Sequence, residues 1–330
     1  MPSLYVTSYH ALLIKELCDV ALSLSLSKSL PAKEVTKPGS TPSYGRIEAH
    51  QHLARLIANG RIKQDQPVLL VSVRNVLSNL RAIGYSEVLG KPLTVEGEVF
   101  TENRPYHILG WDAAGHFMIR EFTPGQDSFD GLTGYLSGVP VLWDEEDEQQ
   151  LFCRLVSEAA DHAHVWHLPR GRHPKATETS LRQWRDLHEV FIAGLNENRE
   201  RAASELISYA EAHGLKRENG YLHNILGVDD KGHLCQYIGI GCLEGLGQQL
   251  RQQFGARRAL CVDNGGSVEV RLYPRGLSVL EVQRGLSGFA VQLFAAPDFR
   301  PRGTAYLAIA LPDTSFALLP AVSGRIQQAE

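Results

Sequence analysis

Leu12, Leu13, Leu17, Val20 and Leu24 recur at helical spacing, which predicts an amphipathic helix within residues 1–30. Pro31, Pro38, Gly39 and Pro42 then mark a loop. A helix is expected over Arg46–Asn59, stopped by Gly60, and the apolar run Pro67–Val73 has the composition of a buried strand. Three more helices are expected in the middle of the chain. The first opens on the carboxylates Asp144–Asp147, which suit the positive end of the helix dipole, and sets Leu151, Leu155 and Ala159 on one face. The second takes Ser180 as N-cap before Leu181, Trp184, His188, Phe191 and Leu195. The third runs over Glu197–His213 and ends at Gly214.

The last third has the period of strands. Val268, Val270 and Leu272 alternate with Glu269 and Arg271, the pattern of a strand with one wet face. Leu277–Val282, Phe289–Phe294 and Ala305–Leu311 follow as strands, with short connections that suit antiparallel pairing. One pattern occurs twice: Ile108–Phe117 and Ile225–Leu234 both run I-L-G-φ-D-x-x-G-H-φ, with φ apolar. Each predicts a hairpin whose turn is opened by Asp and closed by Gly. The repeat comes either from two unrelated hairpins sharing turn chemistry or from two related lobes of one fold. The expected class is α+β, largely antiparallel sheets with packed helices. A first region covers residues 1–104, and a main domain covers 105–330 with a helical insertion at about 144–219.

With 330 residues, 43% of them hydrophobic, the chain can bury a sizeable core. Its 33 basic and 37 acidic residues nearly balance, which argues against nucleic acid as a partner, since phosphate binding needs a concentrated basic surface. Cys18, Cys153, Cys235, Cys242 and Cys261 are scattered and odd in number, so neither a disulfide framework nor a zinc knuckle is expected. Lys15, Glu16 and Asp19 interrupt the apolar N-terminal stretch, and no run approaches a spanning helix. The expectation is a cytoplasmic protein without a membrane partner.

The stretch Tyr221–Tyr273 carries the candidate chemistry. A hairpin leads to Gly239-Ile240-Gly241, then to a helix with Leu243, Leu246, Leu250 and Phe254 at helical spacing. A buried strand Ala259–Val262 follows and ends on Asp263-Asn264-Gly265-Gly266-Ser267. An Asp at the end of a buried strand is held rigidly, and neighbouring glycines let backbone N–H groups approach an anion. Gly239 and Gly241 ahead of a helix add a second set of amides. The plainer reading of Asn264-Gly265 is a tight hairpin turn.

The order of these elements resembles the C-terminal core of the phosphodiester glycosidase family over about residues 220–310. The resemblance is carried by His223-Asn224-Ile225-Leu226-Gly227, by Gly255–Ser267 with its A-L-x-x-D-x-G-G-S, and by Phe299–Ala305. Ser137–Leu142 is similar to the family's G-P-x-L element. The resemblance implies a hydrolase or transferase acting on a phosphorylated or glycosylated small molecule. It implies Asp263 and His223 as catalytic residues, and Asn264, Gly265, Gly266, Ser267, Gly241 and Arg302 as substrate-binding residues. Two departures favour an alternative, a non-hydrolytic ligand-binding or assembly protein on the same fold. Asn264 replaces the middle glycine of the family's triplet, a residue that tolerates positive φ, and His223 replaces an arginine.

His162, His164 and His167 form H-x-H-x-x-H, a candidate set of ligands for a divalent metal. They also stand at an expected helix end, where histidines suit the dipole without any metal. Glu48, His50 and His52 are expected as a polar helix face, and Arg170, Arg172, Lys175, Arg182 and Arg185 as a solvated basic surface.

Overall fold

The computed structural model describes residues 7–14, 19–24, 47–73, 106–123, 126–128, 130–147, 150–151, 198, 201, 205, 208, 222–296 and 305–312. The strands are β1 (Thr7–Ile14), β2 (Val20–Leu24), β3 (Val68–Ser72), β4 (Tyr106–Trp111), β5 (Phe117–Phe122) and β6 (Gly134–Leu142). They continue as β7 (Leu222–Val228), β8 (Leu234–Ile240), β9 (Arg258–Asn264), β10 (Glu269–Tyr273), β11 (Val291–Ala295) and β12 (Ala305–Ala310). The helices are α1 (Ala49–Ala58), α2 (Leu243–Phe254) and α3 (Val279–Arg284).

The fold is α+β. A seven-stranded sheet has the order β1-β8-β7-β9-β6-β4-β5 and a five-stranded sheet the order β11-β10-β3-β12-β2. Every pairing among them is antiparallel. Alternation along β3 shows how the layers stack. Leu69 and Val71 join Leu307, Ile309 and Val270 in the core shared with the large sheet, whereas Val68 and Leu70 meet Leu53, Leu56 and Ile57 of α1. Strands before residue 104 pair with strands far beyond it, β1 with β8, and β2 and β3 with β12.

Both I-L-G segments are hairpins, β4–β5 and β7–β8, and their turns use the same bonds. Asp112 Oδ1 accepts from the amides of Ala114 and His116, and Asp229 Oδ1 from those of Lys231 and His233. Each second carboxylate oxygen meets the following imidazole, at 3.1 Å for His116 and 2.8 Å for His233. A third strand then joins the first strand of each hairpin, giving the mirrored order β5-β4-β6-β9-β7-β8. The two turns touch, since the Phe117 amide donates to the Gly232 carbonyl at 3.1 Å.

Two expectations are corrected. Thr7–Ile14 and Val20–Leu24 are strands, not helix. Leu12, Ile14, Ala21 and Leu22 are all buried, and a short segment buried on both faces has a period that suits either structure. Leu277–Val282 contains the start of α3 rather than a strand. Ser278 and Glu281 form a reciprocal capping box, and Gly285 ends the helix at φ 66°. The helix expected over Arg46–Asn59 is α1, with Glu48 as its N-cap. Of the helix expected over Glu197–His213, Asn198, Arg201, Glu205 and Ser208 are described; all are exposed, the last three are helical, and Asn198 precedes the helix and accepts from the Arg201 amide. Of the helix expected to open on Asp144–Asp147, Asp144 and Glu145 form a turn, Asp147 Oδ1 accepts from the Gln150 amide, and Gln150 and Leu151 are helical. Leu155 and Ala159, and the helix expected over Ser180–Leu195, lie outside the described residues.

α2 packs on the outer face of the large sheet through Leu246 and Leu250. A Cβ on Gly247 would sit 2.0 Å from the Val141 carbonyl oxygen. Alanine is the better helix former by about 1 kcal/mol, yet overpacking costs roughly 1–3 kcal/mol. Gly247→Ala is therefore expected to lower the melting temperature, and a thermal scan that found it unchanged or raised would contradict this packing.

Candidate functional site

β9 delivers Asp263 to the end of a buried strand, as the sequence predicts, and Asp263 is 3% exposed. Its Oδ1 accepts from the Asn264 amide at 2.8 Å and from the Ser267 hydroxyl at 2.7 Å. The same hydroxyl lies 3.2 Å from the Asn264 carbonyl. Gly265–Ser267 is one turn of 3₁₀ helix that carries the chain from the large sheet into β10 of the small one. It is therefore a crossing between layers and not a hairpin. Asn264 is extended at φ −152°, and the positive φ falls on Gly265 at 68°. Only a glycine takes that conformation without strain, and no atom lies within 4 Å of where a Cβ would stand. Asn264, Gly265, Gly266 and Ser267 are all half-buried, so the turn meets solvent at the seam between the sheets.

His223 is brought near this turn but faces the other way. It stands opposite Asn264, while Asp263 stands opposite Asn224. Residues opposite each other share a face, and successive residues alternate. His223 thus shares the α2 face with Cys261, whose Sγ lies 3.8 Å from Nδ1. Asp263 and Asn224 face the five-stranded sheet, where the Asn224 amide donates to the Ser72 carbonyl at 2.8 Å. The expected catalytic pair is divided between the two faces of one sheet.

Burial pushes His223 down to about 4, so the ring is neutral at physiological pH. The unfolded chain takes up this proton near 6.5 and the folded chain only near 4. Across that window the unfolded state binds more protons, so stability falls with falling pH, by about 3 kcal/mol in all. Urea melts from pH 7 to pH 4 are expected to show this slope and to lose it in His223→Gln. An unchanged slope in the variant would assign the acid sensitivity elsewhere.

A second polar group lies beneath α1. Glu269, Ser72, Tyr306 and Ser23 stand side by side across β10, β3, β12 and β2. Glu269 is fully buried, not on a wet face, because β10 is an interior strand and the face that carries Glu269 and Tyr273 is the side of the small sheet on which α1 packs. Its carboxylate pairs with Arg271 at 2.5 Å and accepts from Tyr306 Oη at 3.4 Å. Burial raises the Glu269 carboxyl above the ordinary range, with Arg271 and Tyr306 opposing. Burial is the largest single influence on Arg271 and works against its charge, but Glu269 together with Tyr273 and Tyr306 more than offsets it, and the guanidinium is held above its ordinary value. The helix face expected to be polar is also buried. His52 Nδ1 lies 2.9 Å from Ser23 Oγ, and its ring packs on Tyr306 at 4.8 Å. His50 faces Glu48 at 3.2 Å.

Sequence reasoning missed Glu269, Arg271 and Tyr306 because a two-residue period looks the same under solvent and under a helix. The Glu48-x-His50-x-His52 spacing was the one available sign. Gly241 is buried in the turn before α2. Arg302, His162, His164 and His167 lie outside the described residues. Among the described residues no three His, Cys, Asp or Glu side chains come together as metal ligands, and no helix is long and apolar enough to cross a membrane. No protein-family model matches the chain, and no curated protein matches its sequence.

Proposed function

We propose that the protein is a hydrolase or transferase acting on a phosphorylated or glycosylated small molecule at the turn that follows Asp263. The observation that carries the reading is the set of a rigid carboxylate and a glycine turn at one strand end. Asp263 is oriented through Oδ1 by Asn264 and Ser267, and the turn is half-exposed. Backbone amides there would stabilise the developing charge of an oxyanion, commonly the largest single contribution in such catalysis. The motif resemblance at Gly255–Ser267 points to the same substrate class.

The division of His223 from Asp263 favours a second reading, a ligand-binding or assembly protein without turnover. Incubation with a panel of sugar phosphates and sugar phosphodiesters separates the two. Release of phosphate or free sugar supports the enzyme. Binding in a thermal-shift assay without any release supports the second reading.

A further inference from the structure

We propose that the protein forms a two-fold dimer through α3, the loop that follows it and the open edge of β11. This surface holds none of the residues assigned to the turn at Asp263.

Exposed apolar side chains are not spread evenly over the molecule. Among the described residues six large ones are exposed, and five of them are Val279, Leu280, Leu286, Phe289 and Val291. Their exposure runs from 39% at Val291 to 59% at Phe289. Together they leave roughly 400 Å² of apolar side chain in water, the size at which a patch marks an interaction surface. The segment that carries them is well supported. Ser278 and Glu281 cap α3, the Leu286 amide donates to the Glu281 carbonyl at 2.9 Å, and a Cβ on Gly288 would run into Leu277. Val282 and Ala290 pack inward against the core beneath α1.

The strand edge decides what kind of surface can cover the patch. β11 ends the five-stranded sheet and pairs with β10 alone among the described strands. The Glu269 amide donates to Ser72 Oγ, on the β3 side of β10, and the Ala296 amide donates to the Val268 carbonyl at 3.0 Å. Backbone groups alternate in direction along a strand, so Ala295, opposite Glu269, turns its N–H and C=O away from β10. The interior of a lipid surface gives such groups no hydrogen bond, whereas another strand edge does.

Charge and area then select a second copy of the chain. Val279–Ala295 holds one acid, Glu281, which is tied to Arg275, and one base, Arg284, so it favours neither an acidic nor a basic partner. Val291–Ala295 reads Val-Gln-Leu-Phe-Ala, without the charge or proline that guards many edges. Two copies related by a two-fold axis can therefore meet here without like-charge repulsion. The bulge at Leu293 keeps any shared ladder short, and the side chains supply most of the contact. Two copies bring about 800 Å² of apolar surface, close to the apolar share of a standard interface of about 1,600 Å².

The test is sedimentation velocity of the full chain over a dilution series. A reversible monomer–dimer equilibrium is expected. Leu280→Asp with Phe289→Asp is expected to raise its dissociation constant more than about tenfold, as loss of central apolar contacts does. The melting temperature of the monomer should hold, because both side chains are exposed. Met118→Asp, at the exposed apolar residue on β5, should leave the equilibrium unchanged. Hydrogen exchange of the unsubstituted chain reads the same contact without any variant, and the Ala295 amide should exchange more slowly in the concentrated sample. A chain that stays monomeric at every concentration would overturn the proposal, as would a dimer that the double substitution leaves intact. Equal exchange at Ala295 in dilute and concentrated samples would also overturn it. Binding of a monomeric chain to phosphatidylcholine vesicles would give the patch to lipid instead.

Discussion

Asp263→Asn is expected to reduce turnover of a sugar phosphate or phosphodiester by about 10²–10⁴-fold, the usual weight of a positioned acid–base group. The substitution keeps the shape of the side chain and one carbonyl oxygen, so the Asn264 amide and the Ser267 hydroxyl still find an acceptor. What goes is the charge. Hydrogen bonds to a charged acceptor are the stronger kind, and their weakening is expected to cost about 1 kcal/mol of stability. Kinetics and a thermal melt on the same preparation separate the contributions. A lowered melting temperature with unchanged turnover would reduce Asp263 to the holder of its turn.

Arg271→Met is expected to destabilise the protein by about 3–5 kcal/mol at pH 7, because it leaves a buried carboxylate without its cation. The Glu269 side chain is 1% exposed and cannot turn to water. Tyr306 remains as a donor, but at 3.4 Å it does not replace a guanidinium. The sign of the pH dependence follows from Glu269, whose carboxyl already lies above its ordinary 4.5 in the folded state. A raised carboxyl contributes stability that is present below the unfolded value and is lost as the pH rises through the folded one. The deficit of Arg271→Met should therefore shrink as the pH falls from 7 towards 4.5. Adding Glu269→Gln should recover most of it at pH 7. Denaturant melts of the single and double variants at both ends of that range would check this. A single variant as stable as the parent at pH 7 would mean that water reaches Glu269.

The sequence by itself determined what depends on neighbours along the chain. Asp112 and Asp229 each open a turn through amides two and four residues on, so both hairpins were legible as repeated local chemistry. α1 was legible for the same reason, and α3 should have been, because Ser278 and Glu281 carry their capping box within four residues. The strand ending at Asp263, and the bond that ties Asp263 to Ser267, are local as well. Partners distant in sequence were not legible. β1 and β2 are strands because β8 and β12 offer them edges from the far end of the chain, and no periodicity within residues 1–30 encodes that. Burial of Glu269 depends on the layer that α1 adds to its side of the small sheet, and the period of two is blind to what covers a face. Register, too, was a tertiary decision. One extra residue in β9 between Cys261 and Asp263 sets which side chains share a face, and so places His223 with α2 and Asp263 with the opposite sheet.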